Sequence, residues 1–219
     1  MQNLWLNVMN NTFIDNLKKE IEKGLPGEHS HQRMLPVNRP LSSYALQKAS
    51  SVRESAVAII IYFENNTFKS ILIQRPIYVG AHSGQISFPG GKKEVDDIHL
   101  EYTARRETFE EVGISIHQGE LIGQLTSVFI PVSGFIIEPY LYFHTEKPQL
   151  LANEREVAEI IDFHLDDLIH ESSFTSMSVE IETGIIHNDV PCFQLSAKNI
   201  WGATALILNE LRDILVRQP

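Results

Sequence analysis

The segment Phe88–Ile114, FPGGKKEVDDIHLEYTARRETFEEVGI, constrains the fold of this chain more than any other. It opens on Pro89-Gly90-Gly91, a turn in which glycines let backbone come close to a neighbouring group. The run that follows predicts a helix over 97–112, with Asp96 or Asp97 as N-cap and Gly113 just past its end. On a helix, positions three and four apart share a face, so Glu107, Glu110 and Glu111 are expected on one patch. Like charges at that spacing destabilise a helix slightly. Three nearby glutamates are ordinarily a solvated acidic face; here they are joined to Arg106, to Val112-Gly113-Ile114 and to the Pro-Gly-Gly turn upstream. A hard divalent cation offsets the repulsion, because Mg²⁺ takes oxygen ligands, usually one or two carboxylates. Arg106 is placed to hold one of these carboxylates by a salt bridge.

Around this segment the chain divides at about residue 50. Residues 1–50 form an N-terminal arm: Phe13, Ile14, Leu17 and Ile21 follow helical spacing, and Gly24 stops the helix. The glycines and prolines of GLPGEHSHQRMLPVNRP then break regular structure. The arm is expected to pack on the main domain, 51–219. There SAVAIIIYF and KSILIQR read as strands joined by an Asn65-Asn66 hairpin turn, and GQISF as a short third strand. Further strands are expected at about 120–128, 135–143 and 157–163, with two more around 178–195. LDDLIH reads as a short helix, and 201–216 as an amphipathic one. Strands and helices mix without regular βαβ alternation, which predicts an α/β (α+β) fold with a mixed sheet covered by helices.

Composition narrows the function classes. The net charge is −10 and no Lys/Arg cluster is visible, so nucleic acid is not an expected partner. No apolar run approaches the length that spans a bilayer, and the N-terminus lacks the basic and apolar regions of a signal peptide. The single cysteine, Cys192, cannot form an intrachain disulfide; a cytoplasmic setting is expected, with Cys192 buried and inert. The histidines show no zinc-like spacing. A homodimer is left open.

The string RETFEEVGI resembles the core of the Nudix box, Arg-Glu-(apolar)-x-Glu-Glu-x-Gly-(apolar). Thr108 stands where the general pattern has an aliphatic residue. The gap from Gly91 to Arg106 is one residue longer than usual, leaving Asp97 as the nearest counterpart of the upstream glutamate. Both departures are typical of the coenzyme A pyrophosphatase branch. LIQRPIYVGAHSGQISFPGG is also similar to that branch, with Arg75, His82, Gly84 and Gln85 matching and Gly80 standing where a second arginine is usual. GLPGEHSHQRMLPVNR, PVSGFIIEPYLY, EVAEIIDFHLDDLI and IWGATALIL extend the likeness over about 24–216.

The resemblance implies a Nudix-type α/β/α sandwich. It also implies a Mg²⁺- or Mn²⁺-dependent hydrolase that splits the pyrophosphate of coenzyme A or its thioesters, giving 4′-phosphopantetheine (or its acyl form) and adenosine 3′,5′-bisphosphate. Glu107, Glu110 and Glu111 are then the metal ligands, Glu107 and Glu111 matching most closely, and Arg106 completes the catalytic group by orienting a glutamate. The general base is either a box glutamate or a later carboxylate such as Glu154 or Glu156. Arg75, His82, Gly90, Gly91 and Phe135 are the expected substrate-binding residues, with Phe135 stacking a base; its commoner fate is core packing. Two other readings stay open: a Nudix hydrolase for another nucleotide such as ADP-ribose, and a non-catalytic nucleotide-sensing module, which would be expected to lose box carboxylates.

Overall fold

The computed structural model describes residues 2–78, 83–115, 117–180 and 184–218, with side chains from residue 11 onward. In chain order the elements are α1 (Gln2–Glu22), α2 (Glu28–His31), α3 (Ser42–Gln47), β1 (Arg53–Glu64), β2 (Thr67–Gln74), β3 (Ile86–Ser87), β4 (Gly90–Lys92), α4 (Leu100–Val112), β5 (Glu120–Gln124), β6 (Val128–Ile130), β7 (Phe135–His144), β8 (Glu159–His164), α5 (Leu165–Ile169), β9 (Phe174–Glu180), β10 (Ile186–Leu195), β11 (Lys198–Ile200) and α6 (Gly202–Val216).

A mixed sheet forms the centre. β1 pairs antiparallel with β2 and parallel with β7, while β8 adds to β2 and β5 to β7. Asn65 and Asn66, with φ of 52° and 63°, make the β1–β2 turn, the two-residue left-handed type that suits a twisted hairpin. β1 is apolar almost throughout because both its faces are covered. Ala56, Ala58, Ile60 and Tyr62 point to one side and pack with Ala104 and Val112 of α4. Ile59 and Ile61 point to the other and pack with Leu206, Ile207, Leu211 and Ile214 of α6 and with Ile14 and Leu17 of α1. The result is helix on both faces of a mixed sheet. A separate antiparallel sheet runs β11-β10-β9.

Four expectations change. The stretch expected to break regular structure carries the short α2 (Glu28–His31). Gly90 and Gly91 are not only a turn: with Lys92 they form β4, paired antiparallel with Ser55–Val57 of β1. A Cβ on Gly90, at φ 150°, would lie 2.6 Å from Val57 Cα, so only glycine permits this pairing. The strand expected over 120–128 breaks into β5 and β6, and both pair with β7. The helix starts at Leu100 rather than 97, and its cap is His99, whose Nδ1 accepts from Tyr102 N at 3.0 Å. Neither Asp96 nor Asp97 caps it; Asp97 instead accepts from Glu94 N and Thr103 Oγ1, each at 2.9 Å. The helix does end at Gly113, in the left-handed region at φ 77°.

Candidate active site

β4 and α4 create the site by lying against each other. Gly91 faces the helix, and a Cβ there would stand 2.5 Å from Glu107 Cδ. The missing side chain is therefore what lets the Glu107 carboxylate rest on the strand. One turn further along the helix, Glu111 is 1% exposed and accepts from Gly90 N at 2.8 Å. Arg75, just after β2, closes the other side: its Nη2 lies 3.8 Å from Glu111 Oε1 and 3.5 Å from Gly90 O.

Glu110 does not join this pair. It turns to solvent and meets Arg106 Nη1 at 3.0 Å. Arg106 is the hub between them. Its Nη2 lies 3.0 Å from Glu107 and donates to Lys92 O at 3.1 Å, while its Nε and Nη2 donate to the two Asp97 oxygens at 2.9 Å each. The Arg106 bonds hold Asp97 down at about 2, and Asp97 in turn raises Arg106. The guanidinium thus ties the segment before α4 to β4 and holds the Glu107 carboxylate in place.

The electrostatics of Glu107 and Glu111 are those of carboxylates waiting for a counter-charge. Burial pushes Glu111 up to about 8, against the pull of the Gly90 N–H and Arg75, and the charges of Glu107 and Glu156 push the same way. Burial also raises Glu107, with Arg106 opposing and Glu110 and Glu156 adding to the rise. A divalent cation would reverse this balance, since it favours the ionised form of both groups. Among the described residues no three His, Cys, Asp or Glu side chains form a metal cage of their own. Mg²⁺ does not require one: it binds through one or two carboxylates and keeps waters and phosphate oxygens. Two hard oxygen donors over a strand with no side chain at Gly91 fit such an ion.

Of the other expected residues, His82 lies outside the described residues, as does Gly80. Phe135 opens β7, and the Arg53 guanidinium stands 4.0 Å over its ring. Glu156 is exposed and near enough to act on both Glu107 and Glu111. The loop that carries Glu156 is bonded to the last turn of α4, through Leu151 N to Val112 O at 2.8 Å and Asn153 N to Glu111 O at 2.9 Å. Cys192 is buried, and burial raises its thiol.

The NUDIX domain model matches residues 52–177, which include β4, α4 and Arg75. The chain belongs to the Nudix family. It is a Nudix hydrolase, a pyrophosphohydrolase acting on a nucleotide derivative, and the family generally uses divalent metal ions. Among its relatives, Nudix hydrolase 3 of Caenorhabditis elegans is 27% identical over 192 residues, which cover 80% of either chain. A Nudix hydrolase of Yersinia enterocolitica, NudL, described as uncharacterized, is 31% identical over 141 residues, 64% of this chain and 71% of that one. Among solved structures, a MutT/nudix family protein from Enterococcus faecalis superposes with a TM-score of 0.50 at 17% identity, covering 82% of this chain and 71% of that one. A MutT protein from Methanosarcina mazei Go1 gives 0.50 at 17%, covering 78% and 99%. These two likenesses bear on the mixed α/β fold alone. Among the described residues no helix is long and apolar enough to cross a membrane.

Sequence reasoning missed one set of buried polar residues on the far face of the sheet. Glu210 of α6, fully buried, accepts from Gly27 N at 3.0 Å, Thr126 N at 2.9 Å and Thr126 Oγ1 at 2.6 Å, and lies 3.4 Å from His31 Nε2. Beside it Asn209 donates to Ser30 O at 2.7 Å, and Ser30 Oγ donates to Asp213 at 2.6 Å. The signal was polar residues interrupting the apolar face of the last helix, Asn209-Glu210, set against the polar string GEHSHQR in the arm.

Proposed function

We propose that the protein is a Mg²⁺- or Mn²⁺-dependent diphosphatase of coenzyme A or its thioesters, releasing 4′-phosphopantetheine (or its acyl form) and adenosine 3′,5′-bisphosphate. The observation that carries the hydrolytic reading is the convergence of Glu107 and Glu111 on Gly90–Gly91, with Arg75 beside them. The choice of coenzyme A rests on the branch-like run LIQRPIYVGAHSGQISFPGG ahead of the box.

In this reading Glu107 and Glu111 hold the cation, and Glu110 supports it from outside through Arg106. A cation held there would supply Lewis-acid chemistry, polarising phosphoryl oxygens and lowering the pKa of a water. The chain's own residues do the positioning. Arg106 fixes Glu107, the Gly90 amide fixes Glu111, and Arg75 offers a guanidinium to a phosphate oxygen at the same place. Outside the box, Glu156, on the loop bonded to α4 and close enough to act on Glu111, is the carboxylate we assign to take a proton from the attacking water.

A second reading, hydrolysis of another nucleoside diphosphate derivative such as ADP-ribose, is favoured by Gly80 at the place of an arginine. Incubation of the pure protein with Mg²⁺ and coenzyme A, ADP-ribose, NADH or nucleoside triphosphates, with products identified by mass, separates the two. Coenzyme A is expected to have the highest kcat/KM. A higher value for ADP-ribose overturns the coenzyme A assignment, and no turnover with any of them favours a nucleotide-sensing role.

A further inference from the structure

A cleft of about 460 Å³ opens beside β4, lined by Arg53, Glu54, Lys92, Lys93, Glu94 and Asp97. Its charges do not simply cancel. Glu54 is paired with Lys93 at 3.0 Å, and Asp97 is held by Arg106 at 2.9 Å. Among the described residues, Arg53 and Lys92 have no carboxylate partner, and Glu94 alone stands against them. Two such cations in a chain of net charge −10 call for an anion.

The cleft is also joined to the site described above. Lys92 follows Gly91, the residue under Glu107, and its carbonyl accepts from the same Arg106 nitrogen that pairs with Glu107. At its other end Arg53 is the register partner of Phe135 across β1 and β7, and its guanidinium lies 4.0 Å over that ring. Arg53 Nε also donates to Ser133 O at 3.1 Å, which holds the group in place. Phe135 does not itself line the cleft but backs Arg53, and it is the Arg53 guanidinium that offers a base a surface to stack on. A cation at the adjoining position suits a phosphate monoester.

We infer that Arg53, Lys92 and Phe135 form a second subsite, which takes the nucleoside end of the substrate and recognises a phosphate monoester on its ribose. The inference rests on the reading that the neighbouring carboxylates receive a nucleotide's pyrophosphate. It supplies, from β1 and β4, the positive charge that Gly80 does not, and it gives Phe135 a partner in Arg53 that the sequence did not reveal.

Binding of adenosine 3′,5′-bisphosphate and of AMP, measured by calorimetry, tests this without turnover. The wild type is expected to bind the bisphosphate about tenfold more tightly than AMP, the scale of one charge-assisted hydrogen bond. Lys92→Ala is expected to remove most of that preference and Lys92→Arg to keep it; Lys92 is exposed, so the fold should survive both changes. Arg53→Ala is expected to weaken both ligands. No preference in the wild type, or a preference that persists in Lys92→Ala, overturns the subsite. If Lys92 carries the preference but coenzyme A is not hydrolysed, the proposed function is wrong and the subsite stands. If coenzyme A is hydrolysed and the preference is absent, the reverse holds.

Discussion

Two buried glutamates, one on each helix that covers the sheet, carry opposite arrangements. Glu210 on α6 and Glu111 on α4 are both almost sealed from solvent. Burial alone would raise either one. Around Glu210 the bonds from His31 and Thr126 outweigh burial, and its pKa is lowered. Around Glu111 one backbone N–H and an arginine at 3.8 Å do not, and it stands at about 8. A charge buried with enough donors fastens structure; a charge buried without them needs something from outside. The α6 face ties the N-terminal arm to the β5–β6 turn. Under the proposed function, the α4 face is where a cation and a phosphate would be held.

The contrast can be broken at either end. Removing the satisfied group should cost most. Glu210→Ala strands Gly27 N, Thr126 N and His31, and is expected to destabilise the fold by about 3–5 kcal/mol in urea or thermal unfolding. A loss below about 1 kcal/mol would mean that the network does not hold the arm. Removing the unsatisfied group should do the reverse. Glu111→Gln is expected to cut turnover at least about a hundredfold, or about 2.7 kcal/mol, with the melting temperature unchanged or higher. A variant that turns over normally at saturating Mg²⁺ takes Glu111 out of the site.

His144 sharpens the comparison through pH. It lies on the α4 side of β7, and burial, helped by Arg105, lowers it to about 4. The unfolded imidazole titrates near the ordinary value of about 6.5. Between those values the unfolded chain binds a proton that the folded chain does not, so stability falls as pH drops through this window and levels off below it. The expected loss between pH 6.5 and 5 is about 1.5 kcal/mol, and His144→Gln should flatten it. An equal slope in the variant assigns the acid sensitivity elsewhere. The smallest effect concerns the end of α4. Gly113→Ala forces a side chain into φ 77°, 3.0 Å from Leu151 Cβ, and should cost about 1 kcal/mol. An unchanged melting temperature would show that α4 tolerates another ending.

These differences also explain what could be read from sequence. The α4 side was legible because its parts lie within one stretch: a glycine pair, an arginine and the glutamates occupy 90–111, and helical spacing alone brings Glu107 and Glu111 together. The parting of Glu110 was not legible, because it depends on where Arg106 is pulled by Asp97. The two glycines read as a turn because glycine is a poor strand former; their place in β4 comes from pairing with Ser55–Val57, some 35 residues upstream. His99 does not read as a cap from sequence because Asp96 and Asp97 have the stronger preference, and in the fold Asp97 is bonded to Arg106 instead. The Glu210 network joins residues more than 80 positions apart, so no local pattern announces it.

Manganese binding tests the central claim most directly, because it reads the site without substrate or turnover. Mn²⁺ titrated by electron paramagnetic resonance into the wild type, Glu111→Gln and Glu210→Gln should show binding weakened at least about tenfold, or about 1.4 kcal/mol, by the first substitution and unchanged by the second, below the melting temperature of each. Binding that Glu111→Gln leaves intact would contradict the assignment of the unsatisfied carboxylate to the metal.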